Sequence, residues 1–236
     1  MSTLFLARAM QRRSFFRVAG ATVAASTLVL AGCGDDPDPA PAPVDNGLAL
    51  VGFDANRNPI DDGLLNYAYL LEQLEAAFYQ KVVAAPPADL LPGELGYLTD
   101  LRDHELIHRE YLKTILGSRA YDATLSTPLE FNFSTFTLTT RVGVWTAARQ
   151  LEDIGVAAYN GAGKLLVQKY NLIALSKIAS VEARHAALAH ELLQSDSFAS
   201  TVGADGLDDA KTPVEVLALL EPYLPIKVSA ADLSTT

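Results

Sequence analysis

The chain contains one cysteine in 236 residues, and a single thiol excludes an internal disulfide and a Cys-x-x-Cys metal site. Basic residues are also scarce, with 18 Lys and Arg against 28 Asp and Glu, for a net charge of −10. Four of the arginines, Arg8, Arg12, Arg13 and Arg17, fall within the first 32 residues, which hold no acid. Without that segment the charge would be −14. A domain this acidic lacks the basic face that nucleic acid or anionic lipid headgroups require, so neither is expected as a partner of the folded part. The apolar run over residues 18–30 is too short to span a bilayer comfortably. Half of the residues are apolar, enough for one domain with a sizeable core.

The scarce features gather at the N-terminus. Gln11-Arg12-Arg13-Ser14-Phe15-Phe16-Arg17 resembles a twin-arginine export signal, a mildly apolar run follows, and Leu30-Ala31-Gly32-Cys33 resembles a bacterial lipobox. A lone cysteine in an apolar stretch is often only a small buried residue. Here the arginine pair, apolar run, small residues and cysteine come in the order that export and lipidation require. Residues 1–32 are therefore expected to be a signal peptide, with Cys33 lipidated and anchoring the chain to a membrane on the periplasmic face of the bacterial envelope. Residues 33–60 then form a tether and lead-in, whose Pro37, Pro39, Pro41 and Pro43 keep it extended. Asp61 and Asp62 place acids at a helix start, where the helix dipole favours them.

Four helical segments follow within residues 61–195, and their inward stripes match. Leu65, Ala68, Glu72, Glu75, Tyr79 and Val82 step by 3, 4, 3, 4 and 3 residues. So do Leu98, Leu101, Glu105, His108, Leu112 and Ile115; Trp145, Ala148, Glu152, Gly155, Tyr159 and Ala162; and Leu175, Ile178, Glu182, His185, Ala189 and Leu192. Each stripe lies on one helix face and carries a glutamate in the middle of its apolar surface. The arrangement is doubled: Glu72 precedes Glu105 and His108, and Glu152 precedes Glu182 and His185. The paired glutamates are 33 residues apart in the first half and 30 in the second, a helix, a turn and a return helix each time.

A carboxylate inside an apolar stripe is costly unless its charge is compensated, and four together repel one another. No lysine or arginine lies on these stripes. Two di- or trivalent cations would supply the missing positive charge. An imidazole three residues after a glutamate faces the same way, so one helix can present an oxygen and a nitrogen ligand to one ion.

This ligand set is similar to that of ferritin-like di-iron and di-manganese carboxylate proteins. More narrowly, Leu71-Glu72-Gln73-Leu74-Glu75-Ala76-Ala77-Phe78-Tyr79, Arg102-Asp103-His104-Glu105-Leu106-Ile107-His108, Leu151-Glu152-Asp153-Ile154-Gly155-Val156-Ala157-Ala158-Tyr159 and Ser180-Val181-Glu182-Ala183-Arg184-His185 resemble an exported ferritin-like domain family that includes desiccation-related proteins. The resemblance implies an all-α, ferritin-like four-helix bundle with one long crossover connection and a short C-terminal helix. It also implies Glu72, Glu105, His108, Glu152, Glu182 and His185 as ligands of two iron or manganese ions, with Glu105 and Glu152 among the candidates to bridge them.

Other residues carry two readings each. Tyr79 and Tyr159 lie two turns beyond their glutamates and are either ordinary core tyrosines or phenols that hydrogen-bond the ligands or are redox-active. Glu75 takes the offset at which the second and fourth helices place histidine, so it is either an extra ligand or a neighbouring base. His104 and His190 are expected at the surface or on the flank. Residues 117–140 suit the long crossover. Gly161 and Gly163 close the third helix or ease its packing before the fourth. In the tail, residues 196–236, Thr212-Pro213 should cap a short helix carrying Val216, Leu217 and Leu220.

The functional expectation is a lipid-anchored envelope protein with oxidoreductase-type chemistry on peroxide, dioxygen or ferrous iron, and a homodimer is compatible with the chain. The alternative is a non-enzymatic protective or scaffold protein whose metal site is structural or empty.

Overall fold

A computed structural model describes residues 47–233 except Pro59. The expected signal peptide, Cys33 and the proline-rich part of the tether lie outside the described residues. Four long helices carry the fold: α1 (Asp62–Ala84), α2 (Glu94–Leu116), α3 (Arg141–Gly163) and α4 (Lys169–Leu193). A shorter α5 (Pro213–Leu220) follows, and the two-residue strands β1 (Leu48–Ala49) and β2 (Val228–Ser229) pair in parallel. Among the described residues no helix is long and apolar enough to cross a membrane. α1 packs along α2, α3 along α4, and α1 also meets α3. The molecule is thus the four-helix bundle of the ferritin-like class, built from two helical hairpins.

The 3-4 stripes face the core as expected, and all but Ile115 and Leu192, which are partly covered, are buried. α1 is buried on more than this stripe. Leu64, Tyr67, Leu71, Leu74 and Phe78 repeat the spacing on an adjacent face and are equally covered, as expected of a helix enclosed by protein. The long connection between α2 and α3 supplies part of the cover. Phe78 packs edge-on against Phe133, with ring centroids 5.7 Å apart, and Tyr69 stacks obliquely on Tyr121 at 5.5 Å. Asn66 fixes the connection by accepting from the Tyr121 backbone N–H and donating to the Arg119 carbonyl.

Asp61 does not cap its own helix. Its buried carboxylate accepts hydrogen bonds from the backbone N–H groups of Val167 and Gln168 and from the Asn171 side chain, at the start of α4. The contact ties the start of α1 to the residues that lead into α4. Thr212 caps α5 as expected, and Glu215 returns the contact to the Thr212 backbone N–H. Gly161 eases packing, but its partner is the chain after α4: a Cβ there would lie 1.8 Å from the Lys211 carbonyl oxygen. The lead-in belongs to the domain from Gly47 onward, because β1 pairs with the tail and Leu50 is buried in the core.

Candidate metal centre

The bundle brings the six expected residues together at its centre. Glu72, Glu105, His108 and Glu182 form one group and Glu105, Glu152, Glu182 and His185 a second, the potential ligand atoms within each lying no more than 4.8 Å apart. Glu105 and Glu182 are common to both groups, and Glu152 falls in one of them. All four glutamates are fully buried; His185 is 4% and His108 9% exposed. A cavity of about 610 Å³ lined by Asp153, Ala186, Phe198 and Leu207 includes none of the six, so the centre is enclosed by packed helices.

The imidazoles turn their Nδ1 atoms to the carboxylates. His185 Nδ1 lies 2.8 Å from Glu105 Oε1 and 3.5 Å from Glu152 Oε2, and His108 Nδ1 lies 3.0 Å from Glu182 Oε1 and 3.2 Å from Glu72 Oε2. These contacts are close but lack hydrogen-bond direction. Both Nδ1 atoms, both oxygens of Glu105 and of Glu182, and one oxygen each of Glu72 and Glu152 are buried without a hydrogen-bond partner. Buried polar atoms are ordinarily satisfied, and eight such atoms gathered in one place fit an ion pair that would take their lone pairs. Carboxylate with imidazole suits iron or manganese in chemical type.

The electrostatics describe the same frustration. Burial pushes Glu72 well above the ordinary carboxylate range, and Glu182 adds to the shift. Burial likewise lifts Glu152 to about 8 despite the opposing pull of His185. Glu105 goes the other way: burial would raise it, but contacts with His108 and His185 hold it below the usual range. Burial works against a charge on His108, yet Glu105, Glu182 and Glu72 push it up to about 12. His185 is raised for a similar reason, with burial opposing and Glu152 foremost among its carboxylate neighbours. Without an ion, the two imidazoles are the cations of the cluster.

Both tyrosines touch the candidate ligands, and they do so crosswise. Tyr79 of α1 donates to Glu152 Oε1 of α3 at 2.5 Å, while Tyr159 of α3 donates to Glu72 Oε1 of α1. Glu75 is 1% exposed and lies outside both groups, with its Oε2 unpartnered. Gly155 accounts for its space: a Cβ at 155 would lie 2.8 Å from Glu75 Oε1. The missing side chain of α3 is occupied by the extra carboxylate of α1.

Two histidines depart from expectation. His190 is buried, with Nε2 2.9 Å from Asp153 Oδ1, and it ties α4 to α3 away from the cluster. His104 is half-buried, and its Nδ1 lies 2.9 Å from His185 Nε2 with the rings nearly parallel. Adjacency to Glu105 puts its Cα about 100° around the helix, but the imidazole reaches across to α4. Only the proximity of α4 reveals that contact.

A comparison with protein families matches residues 60–195 to the ferritin-like domain. The match spans more than half of the chain, and the chain belongs to that family. No curated protein matches it.

Proposed function

We propose that this is a lipid-anchored, exported ferritin-like metalloprotein. Glu72, Glu105, His108, Glu152, Glu182 and His185 hold two iron or manganese ions for oxidoreductase chemistry on peroxide, dioxygen or ferrous iron. The observation that carries the reading is the set of eight buried, unpartnered carboxylate and imidazole atoms at one point of the core. Such ions would supply redox equivalents and Lewis acidity at that point. Glu105 and Glu182, common to both groups, would serve both ions, while Glu72 with His108 and Glu152 with His185 would serve one each. Tyr79 and Tyr159 orient Glu152 and Glu72, leaving the second oxygen of each carboxylate for an ion. The enclosing helices exclude bulk water, which favours a small oxidant or a metal ion as substrate over a bulky one.

The export and anchoring part rests on the arginine pair and the Leu30-Ala31-Gly32-Cys33 segment. The membrane contact is assigned to lipidated Cys33 on the periplasmic face, and a homodimer is the assembly to look for.

The test is metal analysis of the full chain purified from its own host, followed by peroxide and dioxygen consumption assays. Close to two iron or manganese ions per chain with turnover of either oxidant supports the proposal. Fewer than about 0.2 ions per chain after reconstitution overturns the metal centre. Two ions without turnover would instead favour the protective or scaffold role.

A further inference from the structure

Resting on this metal-centre reading, we infer that His104 is a positioning residue for one metal position only, the one that includes His185. His185 has both ring nitrogens engaged. Nδ1 faces Glu105, Glu152 and Glu182, and Nε2 lies 2.9 Å from His104 Nδ1. A neutral imidazole carries one ring hydrogen. If Nδ1 offers its lone pair to an ion, the hydrogen is on Nε2 and must be donated, and His104 Nδ1 is the acceptor. The contact therefore sets the tautomer of both rings and the direction of the His185 lone pair. The ring planes are 5° apart and the centroids 5.2 Å apart, so the two rings lie edge to edge in one plane, the geometry of a linear N–H···N hydrogen bond.

In the doubled sequence the equivalent residue cannot repeat this contact. His104 immediately precedes Glu105 in the first Glu-x-x-His segment; the equivalent residue in the second segment, immediately before Glu182, is Val181. A valine side chain accepts no hydrogen bond, so the support is built on one side of a pseudo-symmetric centre. Two ion positions with similar ligands are thereby made unequal, and the His185 side is the one held in advance.

The test is anaerobic titration of the metal-free full chain with Mn(II), read by calorimetry and by electron paramagnetic resonance. In wild type both positions fill and the ions give an exchange-coupled signal. His104→Ala should weaken one position about 10- to 100-fold and leave the other within about twofold. At two equivalents the coupled signal should then give way to that of isolated ions. His104→Asn, which restores an acceptor near the place of Nδ1, should recover most of the affinity. If His104→Ala does not fold, His104→Leu keeps apolar bulk, removes the acceptor and carries the same comparison. Unchanged affinities for both ions in the variant lacking the acceptor would overturn the inference while leaving the metal centre intact. Equal weakening of both positions would also overturn it. Failure of wild type to take up Mn(II) or Fe(II) would instead refute the metal-centre reading on which it rests.

Discussion

The phenol of Tyr79 donates a 2.5 Å hydrogen bond to Glu152, a contact that joins the two helical hairpins through the centre of the core. Tyr159 returns the same contact to Glu72. Each hairpin thus orients a carboxylate of the other, and neither arrangement exists until the hairpins have docked. Hydrogen bonds to charged acceptors contribute about 1.5–3 kcal/mol each. Tyr79→Phe should therefore weaken metal binding about tenfold at the position that includes Glu152, with helical content unchanged. Tyr79→Phe with Tyr159→Phe should weaken both positions. Metal titration beside circular dichroism checks this, and unaltered affinity in the double variant would show that the phenols merely fill space.

The shared carboxylates should separate from the unshared ligands by stoichiometry. Glu105→Ala or Glu182→Ala removes a group common to both positions and should abolish tight binding of both ions. His185→Ala should spare the His108 position and retain about one ion. The metal-free Glu105→Ala variant should melt lower than wild type, since it leaves His108 and His185 without the carboxylate that both contact. Metal counts and thermal melts decide the matter together.

Gly155 and Glu75 make a steric prediction independent of any ion. Gly155→Ala places a methyl 2.8 Å from Glu75 Oε1 and should destabilise the metal-free protein by about 1–3 kcal/mol through overpacking. In a Glu75→Ala background the same substitution should be neutral or stabilising, because alanine is the better helix former by about 1 kcal/mol. A double-mutant cycle from urea unfolding measures the coupling. Additive effects would mean that Glu75 does not occupy the space left by Gly155.

The raised groups set the pH dependence. Glu152 titrates near 8 in the folded, metal-free chain against an ordinary carboxylate value when unfolded, and Glu72 is raised well above that value. The folded state therefore holds protons that the unfolded state has released. Stability from these groups is complete below the ordinary carboxylate range and is lost as pH rises toward 8. His108, pushed up to about 12, adds a loss in the same direction above the ordinary imidazole value. The metal-free protein should melt at progressively lower temperature from pH 5 to pH 8. Metal must displace the same protons, so its apparent affinity should rise over that interval with measurable proton release. Melts and calorimetry in buffers of different ionisation enthalpy read the two effects.

Much of the centre was legible before any fold was known, because a helix converts spacing into direction. Glutamates and histidines at 3-4 intervals on four apolar stripes have to point inward together, and the ordered helices place all six where that periodicity requires. The N-cap of α5 was equally readable, since a threonine followed by proline marks a helix start within one turn.

Contacts between distant segments were not legible, for the same reason in reverse: spacing along one helix carries no information about what stands opposite. Asp61 looks like an acid at the start of α1, yet it binds the backbone leading into α4, over a hundred residues away. His104 looks like a flank residue and touches His185; Glu182 as well as Glu105 belongs to both groups; Gly155 leaves room for Glu75. Local periodicity thus settles which side chains enter the core and of what chemical type the centre is. Which of them meet, and hence the unequal support of the two halves, is settled by how the hairpins dock, because those distances are fixed only when the helices close on one another.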